Sequence, residues 1–140
     1  MNLNLQFNTS DIDWERVSAI LKEAGMAHHS AEVHKSAFEN SRVVVFAFRD
    51  TEMIGFGRAI SDGAYQAALY DVAVSPEYQG KGVGKLILEN IISRCPGCNL
   101  MLYAAPGKDK FYEKFSFRKM LTGMALFTNA DKMMERGFTE

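Results

Sequence analysis

The sequence predicts an α+β domain whose central sheet is mixed and mostly antiparallel, with helices on its flanks. Three observations predict it. Two helix-period segments come first, between Asp11 and Asn40. Runs of alternating or β-branched residues then follow at hairpin spacing from Arg42 to Val74. Beyond Val74 the pattern turns to helix and then strand, a crossover whose two strands lie parallel and are expected to be buried on both faces.

Each element has its own warrant. "LNLQF" (Leu3–Phe7) alternates as a strand does. "DIDWERVSAILKEAG" places Trp14, Val17, Ile20, Leu21 and Ala24 at helical spacing, with Asp11 or Asp13 to cap its start and Gly25 its end. "SAEVHKSAFEN" reads as a second helix capped by Ser30. "RVVVFAF" (Arg42–Phe48) is a strand, "DTE" turns it into "MIGFGRAI" (Met53–Ile60), and "SDGA" turns that into "YQAALYDVAV" (Tyr65–Val74). Asp62-Gly63 is a strong hairpin signal. "KLILENIISR" (Lys85–Arg94) is a helix, "NLMLYAA" (Asn99–Ala105) a strand and "KDKFYEKF" (Lys108–Phe115) a short helix. "MLTGMALF" (Met120–Phe127) reads as a closing strand and "NADKMMERG" as a frayed terminal helix. No linker or repeat interrupts the order, so residues 1–140 are expected to form one domain.

Composition excludes several classes. A chain of 140 residues with 47% apolar content can bury a core and is not disordered. A formal charge of −1 offers no basic field for nucleic acid. No apolar run approaches the roughly 20 residues that span a bilayer. "MNLNLQFNTS" lacks the basic and apolar blocks of a signal peptide, so a cytoplasmic protein is expected. The two cysteines form "CPGC" (Cys95–Cys98) behind a helix, not at its N-terminus, where a dipole would activate a thiol. A structural zinc site needs about four ligands, and no second pair exists. The motif reads as a turn, and no metal is expected.

The stretch "SPEYQGKGVGK" (Ser75–Lys85) carries the chemistry. It sits between a strand and a helix, where the first helical N–H groups lack intrahelical partners and the dipole favours an anion. Gly80, Gly82 and Gly84 let oxygens approach bare backbone, which suits a phosphate-bearing ligand. The P-loop pattern GxxxxGK[ST] and the dinucleotide pattern GxGxxG both fail here. What fits is Gln-x-x-Gly-x-Gly, at Gln79, Gly82 and Gly84.

"YDVAVSPEYQGKGVGKLILENII" (Tyr70–Ile92) and "LYAAPGKDKFYEKFSF" (Leu102–Phe117) together resemble the two conserved-order motifs of the GNAT superfamily of acyl-CoA-dependent N-acetyltransferases. The second matches at Phe111, Tyr112 and Phe117, with Ser116 where the family usually has glycine. The resemblance implies the GNAT fold, with its parallel strand pair splayed, and acetyl-CoA as co-substrate. Backbone at Val72, Ala73 and Val74 would lie along the pantetheine arm, one amide holding the thioester carbonyl and its oxyanion. Gln79 belongs to the motif, and the amides of Gly80, Lys81, Gly82, Val83, Gly84 and Lys85 would grip the pyrophosphate. The Lys81 and Lys85 side chains either add charge there or are solvated. Tyr112 would be the general acid that protonates the departing thiolate, its alternative being simple packing on the cofactor arm. The family's asparagine ahead of this helix is absent, leaving Gly107 and Lys108 to contribute by backbone or charge.

No base is obvious. Ala68 and Tyr70 stand at the cleft-facing positions of the strand, alternation turns Asp71 to the opposite face, and a water relay is at least as good a candidate. On the acceptor side, His28, His29 and His34 project about 120° and 140° apart on a helix and do not converge on a metal. Asp62 is a turn residue or, with Glu32, an attractor for a cationic amine. "GFGRAISDGAYQAALYDVAVSPEYQGKGVGK" (Gly55–Lys85) also looks like the branch of plant chloroplast arylalkylamine (serotonin-type) acetyltransferases and their bacterial relatives. The expectation is therefore direct transfer of acetyl to a primary amine, an arylalkylamine or polyamine being favoured, with neither nucleic acid nor membrane as partner. A protein-lysine acetyltransferase and a non-catalytic acyl-CoA-binding module are the alternatives. A homodimer is common among relatives, and oligomeric state stays open.

Overall fold

Asp13 opens the first helix, its carboxylate accepting from the Arg16 amide at 3.2 Å, while Asp11 takes φ 53° ahead of it. The computed structural model describes residues 2–140. It divides into two compact units, one ending at Leu102 and one running Tyr103–Glu140.

The first unit contains α1 (Trp14–Glu23), α2 (Ala31–Glu39), α3 (Val83–Ser93) and the five strands found among the described residues. These are β1 (Leu3–Gln6), β2 (Val43–Arg49), β3 (Glu52–Ser61), β4 (Gln66–Val74) and β5 (Asn99–Met101). They form one sheet in chain order, antiparallel through β4 and parallel between β4 and β5. Ser30 caps α2 through Val33, and Gly25 turns the chain out of α1 at φ 74°.

The alternation of β3 assigns its two faces. Phe56 joins Phe38, Phe46, Val17, Ile20 and Leu21 in a core beneath α1 and α2. Phe38 meets Phe56 edge-on at 5.6 Å, and Trp14 meets Phe46 at 6.0 Å. Gly55 and Gly57 face α3 instead. A Cβ on Gly57 would stand 2.8 Å from Ile91 Cδ1, so the missing side chains let α3 lie close on the sheet.

β5 departs from expectation. It ends at Met101, not Ala105, and its residues are exposed or half-buried, not buried on both faces. Among the described residues no strand follows it in the sheet.

The second unit holds α4 (Asp109–Glu113) and α5 (Ala130–Glu135), the latter capped by Asn129 through Lys132 at 3.2 Å. Tyr103 packs edge-on with Phe127 and with Phe138. The expected closing strand Met120–Phe127 is not a strand. Leu121, Met124 and Leu126 are almost fully exposed, at 99%, 98% and 100%. A strand needs a neighbour for its backbone groups, and this unit has none.

Candidate active site

The site begins where β4 loses its neighbour. Gln66, Ala67 and Ala68 pair with Asn99, Leu100 and Met101, and beyond Ala68 no described strand lies on that side of β4. The expected splay is therefore visible as a ladder that stops while β4 runs on to Val74.

Which backbone groups face the opening follows from two anchors. The Gln66 carbonyl turns toward β3 and its hairpin, accepting from the Asp62 amide at 3.2 Å. The Ser75 amide also turns toward β3, donating to the Ile54 carbonyl at 2.7 Å. Strict alternation cannot give residues 66 and 75 the same orientation. A β-bulge absorbs the extra residue: Arg58 pairs with Tyr70, but Phe56 pairs with Ala73. Past the bulge, Val72 and Val74 turn their polar groups to the open edge. The Val74 carbonyl on that edge is taken by the Gln79 side chain at 2.9 Å, so Gln79 braces strand to loop.

Asp71 sits in this bulge at φ 56°, a left-handed conformation rare for a residue with a side chain. It lies on the same face as Tyr70 and Ala73, the face that carries the aromatic core, where its Oδ2 accepts from Arg58 Nε at 2.8 Å. Alternation had placed it opposite; the bulge is the reason it is not. The Arg58 guanidinium also donates to Ser41 Oγ at 3.1 Å and lies over the Tyr70 and Phe38 rings at 5.2 and 5.6 Å.

After Ser75 the chain makes a 3-10 turn over Pro76–Tyr78. The buried Tyr78 anchors it, its hydroxyl donating to Glu52 and accepting from Arg49. Gly80 and Gly82 then take φ 75° and 84°, and Gly82 is the N-cap of α3 with no side chain to fill the role. A Cβ on either would meet no atom within 4 Å, so the space beside this backbone is open. The first helical bond runs from Leu86 to the Gly82 carbonyl at 3.1 Å. The amides of Val83, Gly84 and Lys85 thus precede the ladder at the positive end of the dipole. These features suit a diphosphate. Lys85 pairs with Glu89 at 3.8 Å, and Lys81 lies over the Tyr78 ring at 5.6 Å.

In the second unit Lys108 is the exposed N-cap residue of α4, and half-buried Tyr112 lies one turn on. Burial pushes the Tyr112 phenol above its ordinary value of 10.0, keeping it a proton donor at neutral pH. Ser116, at the family's glycine position, takes φ 71°.

On the acceptor side, His29 precedes α2, so the helical projection does not apply to it. Its ring lies tilted against that of His34 at 5.5 Å, and its amide donates to His34 Nε2 at 2.8 Å. Burial lowers the pKa of His34, against the pull of Asp71. Asp62 Oδ1 accepts three backbone amides, from Ala64, Tyr65 and Gln66, as a turn residue does. The Cys98 amide closes a turn on Cys95, whose buried thiol is pushed up, away from reactivity. A shallow depression lined by Phe7, Arg42 and Arg94 lies at the far end of α3 from the glycine turn.

The acetyltransferase (GNAT) domain family matches residues 39–119. This chain belongs to the GNAT family. An N-acetyltransferase, ycf52, of Gracilaria tenuistipitata var. liui is 31% identical over 84% of this chain and 68% of its own. The chloroplastic serotonin N-acetyltransferase 2 of Oryza sativa subsp. japonica is 26% identical over 90% and 68%. A Staphylococcus aureus crystal structure, a "Probable Acetyltransferase", shares the fold at TM-score 0.79 with 27% identity, over 90% of this chain and 99% of that one. As a GNAT acetyltransferase the chain is an enzyme that uses acetyl-CoA and an acceptor. Among the described residues no group of metal ligands converges and no helix is long and apolar enough to cross a membrane.

Two contributors escaped the sequence reading, Arg58 and Tyr78. An arginine inside the apolar run "MIGFGRAI" was a signal, since counting back from the Asp62-Gly63 hairpin sets it near Tyr70 and Asp71.

Proposed function

We propose that this enzyme moves acetyl directly from acetyl-CoA to a primary amine, with a small arylalkylamine or polyamine favoured. The observation that carries it is one continuous run of backbone. The open edge at Val72 and Val74, on either side of Ala73, leads through Gln79 into the left-handed Gly80 and Gly82 and the free amides of α3. That run offers donors to a thioester oxygen at one end and to a diphosphate at the other. Lys81 and Lys85 add positive charge beside it.

The amine attacks the thioester carbon, and an amide of the β4 edge stabilises the resulting oxyanion. The C–S bond then breaks, the thiolate takes its proton from Tyr112, and the amine proton leaves through water. The raised pKa of Tyr112 supports its role as acid. Lys108 adds charge toward the cofactor. The name of the rice relative supports the arylalkylamine class. We read residues 1–140 as one catalytic domain, since the family match crosses from the first unit into the second. We also assign it to the cytoplasm. Exposed Leu121, Met124 and Leu126 support a homodimer.

Thiol release from acetyl-CoA across arylalkylamines, polyamines, amino sugars and lysine peptides tests the proposal. Release with one of the first two classes is expected. Release only with lysine peptides indicates a protein acetyltransferase. Stabilisation by CoA with no release for any amine indicates a binding module and overturns it.

A further inference from the structure

Position 71 is the left-handed residue of a bulge, where glycine is ordinary because it has no Cβ to strain. This chain places aspartate there at φ 56°. The side chain is engaged: Arg58, only 13% exposed, holds its carboxylate at 2.8 Å. Arg58 is itself fixed from just past the end of α2, through Ser41 Oγ at 3.1 Å, and Ser41 in turn donates to the Ala37 carbonyl of α2 at 2.8 Å. On the opposite face of the bulge, Val72 Cγ2, Ile87 and Ile91 close in on the bare Gly57. The bulge is thus held from α2 on one side and packed on α3 on the other.

We propose that Arg58 and Asp71 are positioning residues that hold the β4 bulge and so decide which backbone amides face acetyl-CoA. This rests on the reading of Val72 to Val74 as the thioester-holding edge. Without the bulge, alternation from Tyr70 would turn the Val72 and Val74 groups into the β3 ladder and leave the opening to Asp71 and Ala73. The ion pair makes the strained backbone the preferred one. Its members hold the strand and do not touch the reacting atoms.

Two variants separate this from a general loss of folding. Arg58→Met removes the clamp and leaves Asp71 strained and unpaired. Arg58→Met combined with Asp71→Gly removes the strain too, because glycine adopts the bulge conformation unaided. With acetyl-CoA and an accepted amine, kcat is expected to fall about tenfold or more in Arg58→Met, a cost typical of misplaced reacting groups. The Kd for CoA should stay within about twofold, because the grip on the diphosphate is separate. The double variant should regain most of the lost turnover. Amide hydrogen exchange over residues 70–73 of the ligand-free protein reads the clamp without chemistry. It should quicken in the single variant and return in the double. Unchanged exchange in Arg58→Met overturns the proposal. So does a double variant that recovers protection but no turnover, since Asp71 would then act on substrate directly. A wild-type protein that releases no thiol refutes the proposed function alone, and the exchange experiment still decides the clamp.

Discussion

The Phe117 amide donates to the Tyr112 carbonyl at 3.3 Å, and the two rings meet edge-on at 5.9 Å. With the Ser116 amide on Glu113 at 3.0 Å, this is a Schellman cap, and Ser116 is its left-handed residue at φ 71°. Serine is strained there and glycine is not. Ser116→Gly is expected to stabilise the protein by about 0.5–1 kcal/mol, net of the extra entropy of the unfolded chain. Urea denaturation checks it: an unchanged midpoint would mean the backbone has relaxed around serine.

The same cap fixes the Tyr112 backbone. Tyr112→Phe keeps the ring and loses the proton. We expect turnover to fall about 10²-fold or more, the usual range for an acid catalyst, with CoA affinity nearly intact. Because burial raises the phenol above 10.0, wild-type turnover should hold through pH 9. Steady-state kinetics against pH distinguishes this from packing, in which case the phenylalanine variant would turn over normally.

Gly82→Val should abolish thermal stabilisation by CoA. Its φ of 84° excludes a β-branched residue, and the side chain would enter the open space beside the α3 amides. A thermal shift with saturating CoA in both proteins measures it. Equal shifts would remove the diphosphate from this turn.

His34 sets a stability trend with pH. Its folded pKa is lowered by burial from the ordinary 6.5. The unfolded chain therefore binds a proton first as pH falls, and stability present above 6.5 is lost toward the folded value. The melting temperature should drop between pH 7.5 and 5.5. His34→Gln, which can still accept from His29, should drop less. Equal drops would assign the trend to other groups.

Local signals were the legible ones. Asp13 and Ser30 cap their helices as their side chains predict, Asp62-Gly63 turns a hairpin, and the glycine turn lies between strand and helix. What failed depended on distant partners. The bulge was invisible because nothing in "ALYDVAV" announces a left-handed aspartate; its partner lies thirteen residues away on β3. Met120–Phe127 has apolar content suited to a strand but no neighbouring edge in its unit. The strand expected over Asn99–Ala105 is shorter because only Asn99, Leu100 and Met101 pair with β4. His29 and His34 lie closer than a helical projection predicts because His29 precedes the helix.

Gly55 and Gly57 have a consequence beyond packing. They fix the height at which α3 rides over the sheet, and the nucleotide-facing turn is the leading end of that helix. An alanine at position 57 would press on Ile87 and Ile91 of α3 and on Val72 of β4, the helix that carries the diphosphate donors and the strand that carries the thioester donors. A change at a β3 glycine is thereby felt at both ends of the path proposed for the coenzyme.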